Sequence, residues 1–385
     1  MLRFGVIGVG HRIGYMLTYL PKHTFDAKVT AIADINEEKA KQKAEERPDI
    51  YAADTKIYAN ADEMLDQEKL DGVFIGTRDS LHTEMAIKVI ERGLPLFLEK
   101  AISTNMEDLK RLSDAAKKHQ PKVTVSFPLR FTDIARLSKE IIDSGTIGTV
   151  EQIDAFNDVP YGGCYFHDWY RDETETGGLW LQKSTHDFDC INYMMGQTPK
   201  KISAVSVKHI FKGDMPAGLK CKDCEKYWDC PESPYMIENF YEDKVQGEYC
   251  CFAKDTGNQD CGSAIIKYGS GAIAAYTQNF FARHHAARRG GRVYGYKGTL
   301  EYDWHQGYVK VFSHTSKRVD TYQYDSDGAG HFGGDTILMK QFLDLVAGKE
   351  RSYIDEGIIS TLMCLKAKEA CQSEQFEAIP DISQF

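Results

Sequence analysis

From Phe4 to Ser126 the chain alternates short, almost continuously apolar runs with stretches of helical spacing. Phe4–Gly8, Val29–Ala33, Val73–Gly76, Leu94–Leu98 and Val123–Ser126 read as five strands. Between them Met85, Ala86, Val89 and Ile90, and then Leu109, Leu112, Ala115 and Ala116, recur at the spacing of one helix face. Strands apolar on both faces and separated by helices require a parallel sheet covered on both sides. The pattern predicts an α/β Rossmann unit, a doubly wound parallel sheet, over residues 1–126.

After Pro128 the pattern changes. A helix is predicted at Ile134–Asp143, and strand signals then dominate: Val150–Phe156, Ile202–Ile210, Ser263–Tyr268, Ala272–Gln278, Arg292–Tyr296 and Tyr308–Ser313. Helical spacing returns at His186–Met195, Thr336–Val346 and Glu356–Gln372. Residues 127–385 are therefore expected to form a C-terminal α+β domain on a large, mostly antiparallel open sheet. Its least regular stretch, 213–260, is rich in Cys, Asp, Glu, Lys and Tyr and reads as an insertion.

Composition narrows the functions open to such a chain. Its 57 acidic and 47 basic residues give a net charge of −10, which repels polyanions and argues against a nucleic-acid partner. The longest apolar runs, such as Leu94–Leu98, fall far short of the roughly 18 residues a membrane helix needs, so no membrane partner is expected. The chain enters a strand at once, leaving no room for a targeting peptide, and a cytoplasmic location is the expectation. In that compartment the ten cysteines are expected to be thiols rather than a disulfide framework.

The first chemical motif is Gly8-Val9-Gly10-His11-Arg12-Ile13-Gly14, between the first strand and the first helix. Glycines there let the backbone turn tightly and approach a pyrophosphate resting on the helix N-terminus. The spacing G-x-G-x-x-x-G is one residue wider than the usual fingerprint, but its strand–helix setting supports it. Asp34, 20 residues after Gly14 at the end of the second strand, suits the ribose 2′-hydroxyl of an adenine dinucleotide. A carboxylate there repels a 2′-phosphate, so NAD is expected over NADP.

Further along, several pieces together resemble the Gfo/Idh/MocA family of NAD(P)-dependent oxidoreductases. They are Thr77 with His82, Glu99-Lys100, Arg130-Phe131, Ser144–Gly148, Gly177-Gly178, His186-Asp187-Phe188-Asp189 and Gly330–Asp335, in family order. The resemblance implies a Rossmann domain joined to a mixed-sheet domain with substrate between them. It places Gly8, Gly10, His11, Arg12, Ile13, Asp34, Thr77, His82, Glu99 and Lys100 around the cofactor. Arg130, Trp169, Gln182, His331 and Asp335 fall on the substrate side.

Oxidising a carbinol sends hydride to nicotinamide and requires the hydroxyl proton to leave. A group with a pKa near working pH does the latter best, and a fixed cation stabilises the developing alkoxide. By resemblance His186 is the acid/base, while Lys100, just past a parallel strand, is the cation. Two departures stand out. Ala101 replaces the family's proline, and Gln182, four before His186, replaces an aspartate found in many members. Beside Gln182, Lys183 is either a second catalytic cation, lowering the pKa of His186 or binding a carboxylate, or an ordinary salt-bridged lysine. His331 and Asp335 are substrate contacts or helix capping. Trp169 offers an aromatic face to a polyol or simply packs, and His82 reads mainly as structural.

Cys221-x2-Cys224-x5-Cys230 has chelate-like spacing at its start, with Cys250, Cys251, Cys261 or His209 available to complete a structural zinc site. Free thiols are the alternative. The expected activity is NAD-dependent oxidation or reduction of a secondary hydroxyl or ketone of a sugar, cyclitol or related polyol. Its rivals are an NAD-dependent glycoside-cleaving enzyme working by transient oxidation and elimination, and a non-catalytic ligand sensor. A homodimer or homotetramer is expected, because the open sheet has a face free for a second copy.

Overall fold

The computed structural model describes residues 1–24, 26–325 and 329–385. The first sheet comprises β1 (Leu2–Ile7), β2 (Ala27–Ala33), β3 (Tyr51–Tyr58), β4 (Gly72–Ile75), β5 (Leu96–Leu98) and β6 (Val123–Val125). All pairs are parallel and the order is β3-β2-β1-β4-β5-β6. The order reverses between β1 and β4, and ligands of such sheets bind at that switch point, outside the carboxyl ends of the strands. Five of the six strands match the apolar runs in the sequence. The sixth, β3, is an edge strand reading Tyr-Ala-Ala-Asp-Thr-Lys-Ile-Tyr and fully buried only at its two end residues. An edge strand needs no continuous apolar run, so hydropathy alone does not reveal it.

Asparagines begin three of the helices on this sheet. Asn36, Asn60 and Asn105 accept hydrogen bonds from the amides of Lys39, Glu63 and Asp108, satisfying donors the helix cannot. A helix from much later in the chain, Gly334–Val346, also packs on this sheet. Phe342 meets Phe4, Phe74 and Phe97 with ring centroids 4.8–5.7 Å apart. A Cβ on Gly72 would lie 3.1 Å from both Phe342 and Phe4, so glycine lets this cluster close onto the strand.

The second sheet has nine strands: β7 (Val150–Asp158), β8 (Pro199–Val207), β9 (Cys261–Tyr268), β10 (Ile273–Asn279), β11 (Arg288–Gly295), β12 (Gly298–Asp303), β13 (Tyr308–Ser313), β14 (Val319–Gln323) and β15 (Glu377–Ala378). The order is β14-β13-β12-β11-β7-β10-β9-β8-β15, and every pair but β7–β10 is antiparallel. Strands β12 and β14 are not among those the sequence pattern predicts, because polar residues interrupt any apolar alternation in them. Helices Thr185–Met195 and Ile354–Ser373 belong to the core beneath one face. On the other face Val205, Ile265 and Ile273 stand exposed.

The stretch expected as an insertion contains one helix of more than one turn, Pro234–Phe240, begun by Ser233, and two isolated bridges. Its Ile237 and Cys251 share a small core with Phe211, Tyr161, Phe166 and Phe280. The ten cysteines form no disulfide.

Candidate active site

At the glycine turn Gly8 adopts φ +77°, and a Cβ there would come within 2.7–2.9 Å of Thr77. A Cβ on Gly10 would lie 2.7 Å from the Gly76 carbonyl. The turn is thus clamped against the loop after β4, as a backbone that must approach a pyrophosphate requires. Asp34 accepts hydrogen bonds from the Val9 amide (2.8 Å) and the Asn36 amide (2.9 Å), while Lys43 donates to the Val9 carbonyl at 2.6 Å. The end of β2 therefore braces the turn from its other side. Ile13 is buried beneath the turn, His11 is exposed, and Ile35 beyond Asp34 is 99% exposed. These residues fit a dinucleotide: a tight backbone cradle with a partly exposed carboxylate next to it.

Arg12 points toward the other end of the chain. Its guanidinium donates to Asp335 (2.9 Å through Nη1, with a second bond from Nη2) and lies 3.4 Å from Glu99. Burial opposes the charge on Arg12, but Glu99 and Asp335 raise its pKa overall. Burial likewise opposes ionisation of Asp335, and hydrogen bonds from Arg12 and His331 hold its carboxyl well below the usual range. His331 Nδ1 lies 3.0 Å from Asp335. The first helix, the loop after β5 and the start of helix Gly334–Val346 are thereby tied together. Asp335 is wholly buried in this pairing, which leaves His331 as the more open group of the two.

Lys100 lies two residues past β5, and its next residue, Ala101, is buried. The ammonium donates to the Gln182 carbonyl (3.0 Å) and the Gln182 Oε1 (2.9 Å). Gln182 arrives on a π-helical turn, Trp180–Ser184, which runs directly into helix Thr185–Met195. Such single wide turns often occur at functional sites, because the extra residue re-aims the side chains around it. This one brings Gln182, Lys183 and His186 to one region. Burial lowers the pKa of Lys100, against Asp79 and Glu99. Burial pulls Lys183 down to about 8, and Arg289 adds to the effect. Lys183 lies 5.5 Å over the Tyr165 ring and among the described residues makes no ion pair.

His186 is buried and its Nδ1 has no partner. Burial, then the charges of Lys100, His331, Arg289 and Lys183, hold its pKa well below the ordinary histidine value, so the ring is neutral. Its flanks are Phe127 and His331, with ring centroids 6.0 and 5.6 Å away.

Other residues expected at the site are committed elsewhere. Arg130 is buried, forms a two-pronged pair with Asp189 (2.8 Å through Nε) and lies between Tyr193 and Tyr353. A guanidinium so engaged braces helix Thr185–Met195. His82 is buried, with Nδ1 2.7 Å from the Ala101 carbonyl and Nε2 3.2 Å from the Thr77 carbonyl, joining the loops after β4 and β5. Trp169 stacks on Tyr170 and carries Arg78 over its ring at 3.7 Å.

Two groups at the site escape sequence reasoning. Asp79, at the start of the helix after β4, is buried with Oδ2 unpartnered, and burial pushes it up to about 7 against the pull of Lys100 and Arg78. Its only signal is its position between Thr77 and His82. The second is Arg289 of β11, whose Nε donates to Asp187 at 2.7 Å, while Tyr276 and Asn157 donate to the same carboxylate at 2.8 and 2.9 Å. This network fixes the residue next to His186, and only the tertiary fold assembles it.

Comparison with known proteins agrees with the fold. A family model described as an oxidoreductase family with an NAD-binding Rossmann fold matches residues 2–127, and a GFO/IDH/MocA C-terminal domain model matches residues 135–301. An uncharacterized oxidoreductase of Streptococcus pneumoniae is 23% identical over 92% of this chain and 87% of its own. The myo-inositol 2-dehydrogenase of Thermotoga maritima is 28% identical over 53% of this chain and 58% of its own. A solved levoglucosan dehydrogenase, in complex with NADH and levoglucosan, superposes with a TM-score of 0.78 at 18% identity, covering 99% of this chain and 100% of that one. Among the described residues no helix is long and apolar enough to cross a membrane.

Proposed function

The chain belongs to the GFO/IDH/MocA family and is an NAD-dependent oxidoreductase, and from that premise we propose that it oxidises a secondary hydroxyl of a sugar, cyclitol or related polyol. One observation carries the reading: a lysine held by both oxygens of Gln182 beside a neutral, buried histidine with an unpartnered ring nitrogen, at the carboxyl edge of the parallel sheet. The Gly8–Gly10 backbone and Asp34 would hold the dinucleotide, which would supply the hydride acceptor.

The chain's own residues handle the oxygen and its proton. An ammonium has three donors, and Gln182 takes two from Lys100, which leaves one for the substrate oxygen. Gln182 thus does for Lys100 what a carboxylate at that position would do for the histidine. His186, kept neutral, accepts the hydroxyl proton. Lys183 takes an acidic group on the substrate, so sugar acids are favoured within the polyol class. An unpaired ammonium in so dry a position gains most from a carboxylate partner.

The test is cofactor reduction across inositols, aldoses, sugar acids and glycosides. Net NADH with a ketone product supports the dehydrogenase. Release of a leaving group without net NADH supports the elimination reading, which the Gln182 departure keeps open. Binding of a sugar with neither outcome supports the sensor.

A further inference from the structure

The insertion gathers four thiols that the hydride chemistry does not use. The isolated antiparallel bridge Lys220↔Tyr249 puts Cys221 and Cys250 one residue to either side, on the same face of the ladder. The Cys221 amide donates to Glu248 at 2.7 Å and the Cys250 amide to Leu219 at 2.8 Å, which fixes that register. A turn follows at once, with the Cys224 amide on the Cys221 carbonyl at 3.1 Å. The chain then returns through Cys230, whose amide bonds Lys226 at 2.9 Å. All six pairings of Cys221, Cys224, Cys230 and Cys250 are close enough for one thiol to act electrostatically on the other.

Beside them lies Arg171, 4% exposed, with Nε and Nη1 both unpartnered. Its charge reaches Cys221 and Cys250. Its Nη2 pairs with Asp255 and donates to Thr256 at 2.9 Å, so only Nε and Nη1 are left over; four thiolates on one divalent ion leave two negative charges, to which these two N–H groups can respond.

We propose that Cys221, Cys224, Cys230 and Cys250 ligate a soft metal centre that staples the insertion and, through it, the substrate-side wall of the active site. The four-thiolate donor set suits zinc or an iron–sulfur cluster. No three of these sulfurs lie within 4.8 Å of one another. That is wider than the roughly 3.8 Å edge of a zinc–thiolate tetrahedron with 2.3 Å bonds. Zinc therefore requires the side chains to close in, whereas a four-iron cluster seats each thiolate on a separate iron and spans more. A tighter trio, His167, Glu232 and Cys251, is a poorer candidate. Glu232 already accepts from Tyr161 at 2.6 Å and Arg283 at 2.8 Å.

The link to the wall is short. Tyr249, adjacent to Cys250, donates its amide to the His167 carbonyl at 2.9 Å and accepts from His167 Nδ1 at 2.7 Å. Asn258 donates to the Tyr165 and Tyr170 carbonyls at 2.8 and 2.9 Å, and the Gly257 amide to Arg171 at 3.0 Å. The segment so held carries Tyr165, under Lys183, and Trp169, under Arg78.

The test is zinc, iron and acid-labile sulfide analysis, with a visible spectrum, on the full chain purified anaerobically without chelator. Roughly one zinc per chain, or iron with matching sulfide and a visible band, is expected. Cys224→Ser and Cys250→Ser should lose it, whereas Cys261→Ser and Cys371→Ser should keep it. Wild-type protein with less than about a tenth of an equivalent, or metal retained in Cys224→Ser, overturns the proposal, and the wild-type figure decides even if a variant fails to fold. Stripping the wild-type centre with a chelator should speed proteolysis within 213–260 and leave NAD affinity unchanged. Equal cleavage before and after stripping would refute the stapling role.

Discussion

Gln182 shows how a departure in sequence acquires a physical role. Its two oxygens hold the Lys100 ammonium at 2.9 and 3.0 Å, so the lysine is positioned by a neutral group and, in the proposed reaction, keeps its charge for the substrate. Lys100→Met should lower kcat/KM by about 10²-fold or more while NAD affinity, measured by titration, stays nearly constant. Equal loss of NAD binding would make Lys100 a cofactor ligand instead. Lys183 carries a separate expectation. Its ammonium, at about 8, is charged below that pH and neutral above it. KM for a sugar acid should therefore climb as pH rises through 8 while KM for a neutral polyol does not. Lys183→Met should abolish that difference. At this scale the strand-end positions of Asp34 and Lys100 are legible in sequence from the apolar runs before them, whereas His186 stands out only through the family resemblance. Asp79 and Arg289 are not legible, since their surroundings come from segments as far as 102 residues away, the separation of Arg289 from Asp187.

Elements meet at Arg12. Its bonds to Asp335 and contact with Glu99 join the first helix, the loop after β5 and helix Gly334–Val346. Removing the guanidinium takes the Arg12 charge away from two buried carboxylates, so Arg12→Met should destabilise the fold by about 3–5 kcal/mol in denaturant unfolding. A loss below about 1 kcal/mol would mean the pairing contributes no more than a surface bridge. The sign of its pH dependence follows from Asp335, whose folded pKa lies below its unfolded value. That contribution is complete above about pH 4 and is lost as pH falls through the folded value, so Arg12→Met should also flatten acid denaturation in that window. Elements with a clear apolar run or period are legible in the sequence, β1 and helix Met106–His119 among them. β3, β12 and β14 are not, since edge position or hairpin pairing holds them, and the π-helical turn at 180–184 leaves no mark in hydropathy.

For the whole molecule, the nine-stranded sheet presents Val205, Ile265 and Ile273 on the face its helices leave uncovered. We expect a second copy to cover it, so light scattering should give a dimer or tetramer, and Ile265→Asp should shift it toward monomer. A monodisperse wild-type monomer would contradict this. The two sheets converge on a single site. The first places a cofactor cradle and Lys100 at its carboxyl edge, and the second brings Lys183 and His186 across to it. That convergence is tested most directly by quantifying NADH and oxidised product together when wild type and His186→Ala turn over a panel of polyols and sugar acids. The account predicts equimolar NADH and ketone from wild type on at least one of them, and a rate lower by about 10²-fold or more in the variant. Equal rates in the two proteins, or product formed with no net NADH, would contradict it.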